Sequence, residues 1–127
     1  MPKSPNHAKK LLEVIHSDVC GPMQTSTFGD KRYFVTFIDE YSHFCVVYLL
    51  RNKSEVADKF AEFVAFAKTQ TGKVVKTLRS DNGGEYTSGD MAKFCKRRGI
   101  VQKFTPPYTP QLNGSSSFTV FKILTFQ

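Results

Sequence analysis

The sequence predicts an α/β domain in which helices flank a mixed five-stranded sheet. Three observations lead there. Five runs rich in β-branched and aromatic residues have strand length, two segments among the later runs switch to helical spacing, and no internal repeat is visible. The resulting order, β-β-β-α-β-α-β, requires two crossovers, so part of the sheet has to be parallel.

Each element has a local reason. Residues 1–10, "MPKSPNHAKK", carry prolines and lysines without periodicity and read as a lead-in linker. "LLEVIHSDVC" is a β-branched apolar run stopped by Gly21-Pro22, which predicts a first strand ending near Asp18 or Val19. "KRYFVTFIDE" and "HFCVVYLL" follow as two strands joined at "EYS" in a hairpin or tight meander. In "KSEVADKFAEFVAFAKTQTG", Val56, Phe60, Phe63, Val64 and Ala67 recur at helical spacing, with Ser54 expected to cap the start and Gly72 following the end. "KVVKTLRSD" returns to strand character and ends at Asp81, where Asn82-Gly83-Gly84 forces a turn. "SGDMAKFCKRRG" predicts a shorter helix, capped by Ser88, with Asp90 in its first turn, Met91, Phe94 and Cys95 on one face, and Gly99 beyond its end. "IVQKF" supplies the fifth strand, and residues 105–114 are loop. Phe60, Phe63, Phe66 and Phe94 are read as core-facing helix residues rather than platforms on which bases stack.

The composition bounds the function. A chain of 127 residues is one ordinary domain, and its 40% apolar residues include no run long enough to cross a bilayer. The first residues lack the apolar core of a signal peptide, so an intracellular protein of nucleus or cytoplasm, without membrane partners, is expected. Cys20, Cys45 and Cys95 are odd in number, widely spaced and set in apolar segments, which fits buried thiols rather than a disulfide framework or a zinc site. Net charge is +7 and its distribution is uneven: every acidic residue lies at or before Asp90, while Lys93, Lys96, Arg97, Arg98, Lys103 and Lys122 follow. A one-sign surface attracts phosphate backbones without reading sequence, which makes nucleic acid the first partner to consider. A solvated basic face is the alternative, and Lys76, Arg79 and the run Lys96, Arg97, Arg98 fit either.

Two aspartates stand out from this background. Asp18 and Asp81 each fall at the C-terminal end of an expected strand, directly before a glycine-containing turn. In α/β sheets that edge is where ligands bind, because the loops leave room above a rigid scaffold. If the first and fourth strands are neighbours, the two carboxylates face each other and repel unless a cation sits between them, which suits Mg²⁺ or Mn²⁺. Taken singly, each aspartate could merely cap its turn; as a matched pair they argue for a metal site. His16, two residues before Asp18 on the same strand face, borders that site.

The segments "IHSDVCGPM", "YFVTFIDEYS", "KSEVADKF", "KTQTGKVVKTLRSDNGGEYTS", "FCKRRGI" and "TPPYTPQLNG" together resemble the integrase core of Ty1/copia-type retrotransposons, part of a retrovirus-related Pol polyprotein. The resemblance covers roughly residues 3–114. It implies a ribonuclease-H-like fold, a metal-binding D-D-E triad using Mg²⁺ or Mn²⁺, cleavage of donor DNA ends and their joining to target DNA, and association with other integrase chains. By position the two family aspartates fall on Asp18 and Asp81, while the family's glutamate falls on Ser117, so the third carboxylate is lost. Tyr108, Gln111 and Asn113 match the family's active-site loop and are candidates to approach DNA. The core is thus expected over 11–114, C-terminally incomplete, with 115–127 as a divergent tail whose "FTVFKILTF" has the composition of an aggregation-prone strand. No acidic residue follows Asp90, and Asp39, Glu40 and Glu85 are the acids nearest to serving instead. The resemblance therefore implies an impaired enzyme, or a non-catalytic remnant that binds nucleic acid or associates with integrase.

Overall fold

The computed structural model describes residues 9–23, 31–105 and 123–126. Strands β1 (Val14–Cys20), β2 (Tyr33–Asp39) and β3 (Cys45–Leu50) come first, followed by a 3₁₀ turn (Lys53–Glu55) and helix α1 (Val56–Thr71). Strand β4 (Thr77–Ser80), helices α2 (Gly84–Thr87) and α3 (Gly89–Arg98), and strands β5 (Val101–Phe104) and β6 (Ile123–Phe126) complete it. The sheet order is β5-β4-β1-β2-β3-β6. β1, β2 and β3 form the expected antiparallel meander, whereas β1–β4 and β4–β5 pair in parallel across the crossovers that α1 and α3 supply.

Three details differ from the sequence expectation. The five expected strands are all present, but the sheet has a sixth, because Ile123–Phe126 pairs in parallel with β3. Ser54 does not cap α1; it lies inside the 3₁₀ turn, where the Glu55 carboxylate accepts from the backbone N–H groups of Arg51 and Asn52. The chain bends at Asn82 as expected, but a single helical turn, α2, follows it that the sequence reading did not include. Ser88, by contrast, caps α3 by accepting from the Met91 N–H, and Gly72 and Gly99 take left-handed conformations just past α1 and α3.

The core lies between one sheet face and the two longer helices. Ile15, Val35, Phe37, Val46, Tyr48 and Leu78 from the sheet meet Phe60, Phe63, Met91 and Phe94 from the helices. Phe37 stands at the centre: its ring stacks on Phe63 at 5.1 Å, lies 5.5 Å from Phe60 and meets Tyr48 edge-on at 5.8 Å, while Phe60 in turn meets Phe94 edge-on at 5.6 Å. This chain of rings joins β3, β2, α1 and α3. Of the three thiols, Cys45 and Cys95 are buried as expected, and Cys20 is half-buried at the end of β1. No described helix is long and apolar enough to cross a membrane.

One buried charge ties the lower rim together. Asp39, fully enclosed, accepts the Leu12 N–H at 2.8 Å through Oδ1, and through Oδ2 both the N–H and the hydroxyl of Ser42 at 2.8 Å. Leu12 has a left-handed φ of 66°, so the carboxylate holds a strained lead-in to β1 as well as the β2–β3 turn. Asp39→Ala orphans three donors and is expected to cost roughly 2–4 kcal/mol in urea unfolding, since unsatisfied buried donors carry their full desolvation penalty; a loss below about 0.5 kcal/mol would show that these donors find water instead.

Candidate active site

β1 and β4 pair so that His16 stands beside Arg79. Beyond that pair the chain leaves β4 at Ser80, and Asp81 follows it close enough to Asp18 to act on its carboxyl. The side chains of Ile15 and Leu78 enter the core, so alternation delivers His16, Asp18 and Arg79 to the other face. β2 adds Thr36 beside Asp18, and β5 adds Lys103 beside Arg79. The open face thus carries Asp18 next to a row of His16, Arg79 and Lys103.

The turn after Asp81 brings a third acid. Asp81 Oδ1 accepts the Gly83 N–H at 2.8 Å, and a Cβ on Gly83 would lie 3.0 Å from that oxygen and 2.6 Å from Glu85 Oε2. A side chain at Gly83 would therefore push the Glu85 carboxylate away from Asp81. Tyr86, next in α2, is fully buried and shares a 2.7 Å hydrogen bond between its hydroxyl and that of Ser17, the neighbour of Asp18. Its backbone carbonyl accepts from the Gln102 side chain at 2.9 Å. Tyr86 therefore pins the Asp81–Glu85 turn to β1 from beneath, and burial pushes its hydroxyl pKa up.

These charges work against one another. The Asp18 carboxyl is pushed above its ordinary pKa, first by desolvation and then by the nearby Asp81 and Glu85, against the lowering effect of a hydrogen bond from the Val19 backbone. The Cys20 thiol is raised too, by burial and then by Asp18. On the neighbouring row, Glu40 receives His16 Nε2 at 2.6 Å and lies 3.8 Å from an Arg79 terminal nitrogen, joining β2, β1 and β4. Gly21, where β1 ends, has a φ of 132° and would set a Cβ 2.7 Å from the Arg32 carbonyl, so the chain can leave the site only through glycine at this point.

Residues 8–110 match the integrase core domain family. The chain belongs to that family. It is 47% identical over 104 residues to a retrovirus-related Pol polyprotein from transposon TNT 1-94 of Nicotiana tabacum, covering 82% of this chain and 8% of that protein. It is 35% identical over 109 residues to the corresponding polyprotein from transposon RE2 of Arabidopsis thaliana, covering 86% of this chain and 7% of that one. It is 34% identical over 100 residues to the Ty1-DR4 Gag-Pol polyprotein of Saccharomyces cerevisiae, covering 77% of this chain and 6% of that one. The chain thus spans less than a tenth of the length of these curated relatives.

In this integrase core, the sequence-derived candidates divide by position. Asp18 and Asp81 come together, and Arg79 stands on the face of Asp18. Lys76 precedes β4 and so lies at the opposite end of that strand from Asp81; Lys96, Arg97 and Arg98 occupy the last turn of α3, which runs back toward the same far end. Arg98 also lies over the Phe94 ring at 5.4 Å. Tyr108, Gln111, Asn113 and Ser117 lie outside the described residues. Asp39 is consumed by its donors and Glu40 by its ion pairs, leaving Glu85 as the further acid beside the aspartates. Lys103, a strand lysine without a motif around it, becomes a site candidate only through its register with Arg79. Among the described residues no three His, Cys, Asp or Glu side chains converge as a finished metal cage. The donors present nevertheless fit a hard cation, since Asp18, Asp81 and Glu85 offer carboxylate oxygens near one another.

Two outcomes follow from this geometry. Because the Asp18 pKa is raised in the folded state, its contribution is favourable below the unfolded carboxylate range and is lost as pH rises through the folded pKa. Without metal, Asp18→Asn should therefore unfold at a higher temperature than the parent at pH 7, by under about 1 kcal/mol since solvent screens this exposed carboxyl, and the gap should close in acid. Tyr86→Phe orphans the buried Ser17 hydroxyl and should cost about 1–2 kcal/mol, whereas Ser17→Ala combined with Tyr86→Phe should cost less than the sum of the two single changes; strict additivity would refute the anchor.

Proposed function

We propose that this chain is the DNA-handling catalytic core of a retrotransposon integrase whose chemistry is impaired. The observation that carries the reading is the approach of Asp81 to Asp18 at the ends of parallel strands, with Arg79 and Lys103 on the face of Asp18. Asp18 and Asp81 would hold Mg²⁺ or Mn²⁺, which when bound stabilises the attacking and leaving oxygens of a phosphoryl transfer. The protein's own part is to fix the two carboxylates in one register, to hold their turn through Tyr86, and to offer Arg79 and Lys103 to a phosphate of the DNA backbone.

The impairment follows from charge. A two-metal transfer normally needs a third carboxylate, and the family position for it is Ser117, whose neutral hydroxyl is a poor ligand for Mg²⁺. Glu85 supports retention of one bound ion rather than full activity, because a relocated ligand seldom meets the geometry that phosphoryl transfer demands. Loss of that charge should cost several orders of magnitude in rate. The basic end formed by Lys76, Lys96, Arg97 and Arg98 supports a second reading alongside it: sequence-nonspecific DNA binding, or association with intact integrase, that does not depend on the aspartates.

The decisive experiment is thermal unfolding of the purified chain with and without Mn²⁺. A metal-induced rise in Tm in the parent, absent in Asp18→Asn and Asp81→Asn, is expected, since a ligand stabilises only the state that binds it. No rise in the parent refutes the metal site. In a strand-transfer assay on oligonucleotide duplexes, joining above background that requires Mn²⁺ and vanishes in Asp81→Asn would overturn the impairment and leave the site assignment standing.

A further inference from the structure

The two edges of the sheet are unequal. β5, at one edge, is four residues long and carries Gln102 and Lys103, with Lys103 exposed. Short length and a lysine are what discourage a strand from pairing with another molecule. Within the family-matched residues 8–110 the other edge would be β3, Cys45–Leu50, which is longer and reads "CVVYLL" without a single charge. Its outer backbone groups would form an open template of the kind through which chains associate.

β6 covers that template. It lies beyond residue 110, has the sequence "ILTF", and pairs in parallel with β3 through Cys45 with Ile123, Val46 with Leu124, Val47 with Thr125 and Tyr48 with Phe126. We propose that Ile123–Phe126 is an edge guard: it occupies the outer edge of β3 and thereby keeps a second copy of this chain from adding its own β3 there. The apolar character of the tail, which nothing in the candidate active site uses, is the composition that a strand-pairing segment needs. The sheet places the guard on the edge that lacks charge, and among the described residues no strand pairs with the outer side of the lysine-bearing edge. This inference stands independently of the catalytic reading.

The test compares the full chain with Leu124→Pro/Thr125→Pro. Adjacent prolines remove ladder donors whichever way each amide faces. Light scattering on the eluting protein, over a range of concentrations, should give at least twice the parent's mass for the variant, with the far-UV circular dichroism of both alike. Adding Val47→Lys to the variant should restore the parent's mass, because a charge in β3 disfavours edge pairing. Equal masses for parent and variant at every concentration overturn the proposal, as does association that Val47→Lys leaves untouched. Should the proline variant fail to fold, Val47→Cys/Thr125→Cys in a Cys20→Ser/Cys45→Ser/Cys95→Ser background tests the pairing directly, because Val47 pairs with Thr125 and is not fully buried. A short bismaleimide should then join the two positions within a single chain, and either no cross-link or linked dimers would overturn the guard.

Discussion

The parallel pairing of β1 with β4 is the constraint on which the rest depends. Neither strand follows the other in sequence: β2, β3 and α1 must first be laid down, and the chain must return across the sheet before a single β1–β4 hydrogen bond can form. Closing such a loop costs entropy that local contacts cannot repay. Repayment comes from burial, through Phe60 and Phe63 against Phe37 and through the fit of Leu78 beside Ile15. The same pairing dictates the site. A slip of one residue would carry Arg79 to the core face and Leu78 to solvent, so the hydrophobic pattern that drives packing also enforces the meeting of Asp18 with Asp81.

Much of this was legible because the relevant signals are short-range. Helix α3 announces itself through Ser88, Met91, Phe94 and Gly99, all within a few turns of one another, and α1 through its apolar spacing. Asp18 and Asp81 were legible as strand-end acids before turns, although only the β1–β4 register makes them partners. What was not legible is what depends on distant pairing. Lys103 sits in an ordinary strand and acquires meaning from its neighbour Arg79, while Ser17 is an unremarked serine until Tyr86 reaches it across 69 positions. The cap of α1 was misread for a different reason: Glu55 bonds the backbone of Arg51 and Asn52, so a 3₁₀ turn takes the place of a serine cap. The sixth strand was hidden because a strand-like composition does not say which edge will receive it.

Electrostatics divides the molecule lengthwise. Lys96, Arg97 and Arg98 complement the negative end of the α3 dipole, so part of the basic excess serves helix stability whatever else it contacts. Arg79 is different: it stands on the open face near Glu40, and its Nε is buried without a partner, so its desolvation is not fully offset within the described residues. The cations at the far end are thus tied to a helix terminus, whereas Arg79 is tied through Glu40 and its pairing with His16 to the sheet face that carries Asp18.

The fold and the chemistry are therefore separable in energy. The main core cluster, the rings of Phe37, Phe60, Phe63 and Phe94 with Ile15 and Leu78, lies on the helix-covered face. The carboxylates on the other face contribute nothing to that core, and the Asp18 carboxyl is pushed up first by desolvation and then by Asp81 and Glu85. Sequences generally break local rules of this kind where function demands it. Changes among those carboxylates can therefore leave the packing of β1, β4 and α1 intact, because no part of that packing is built on them.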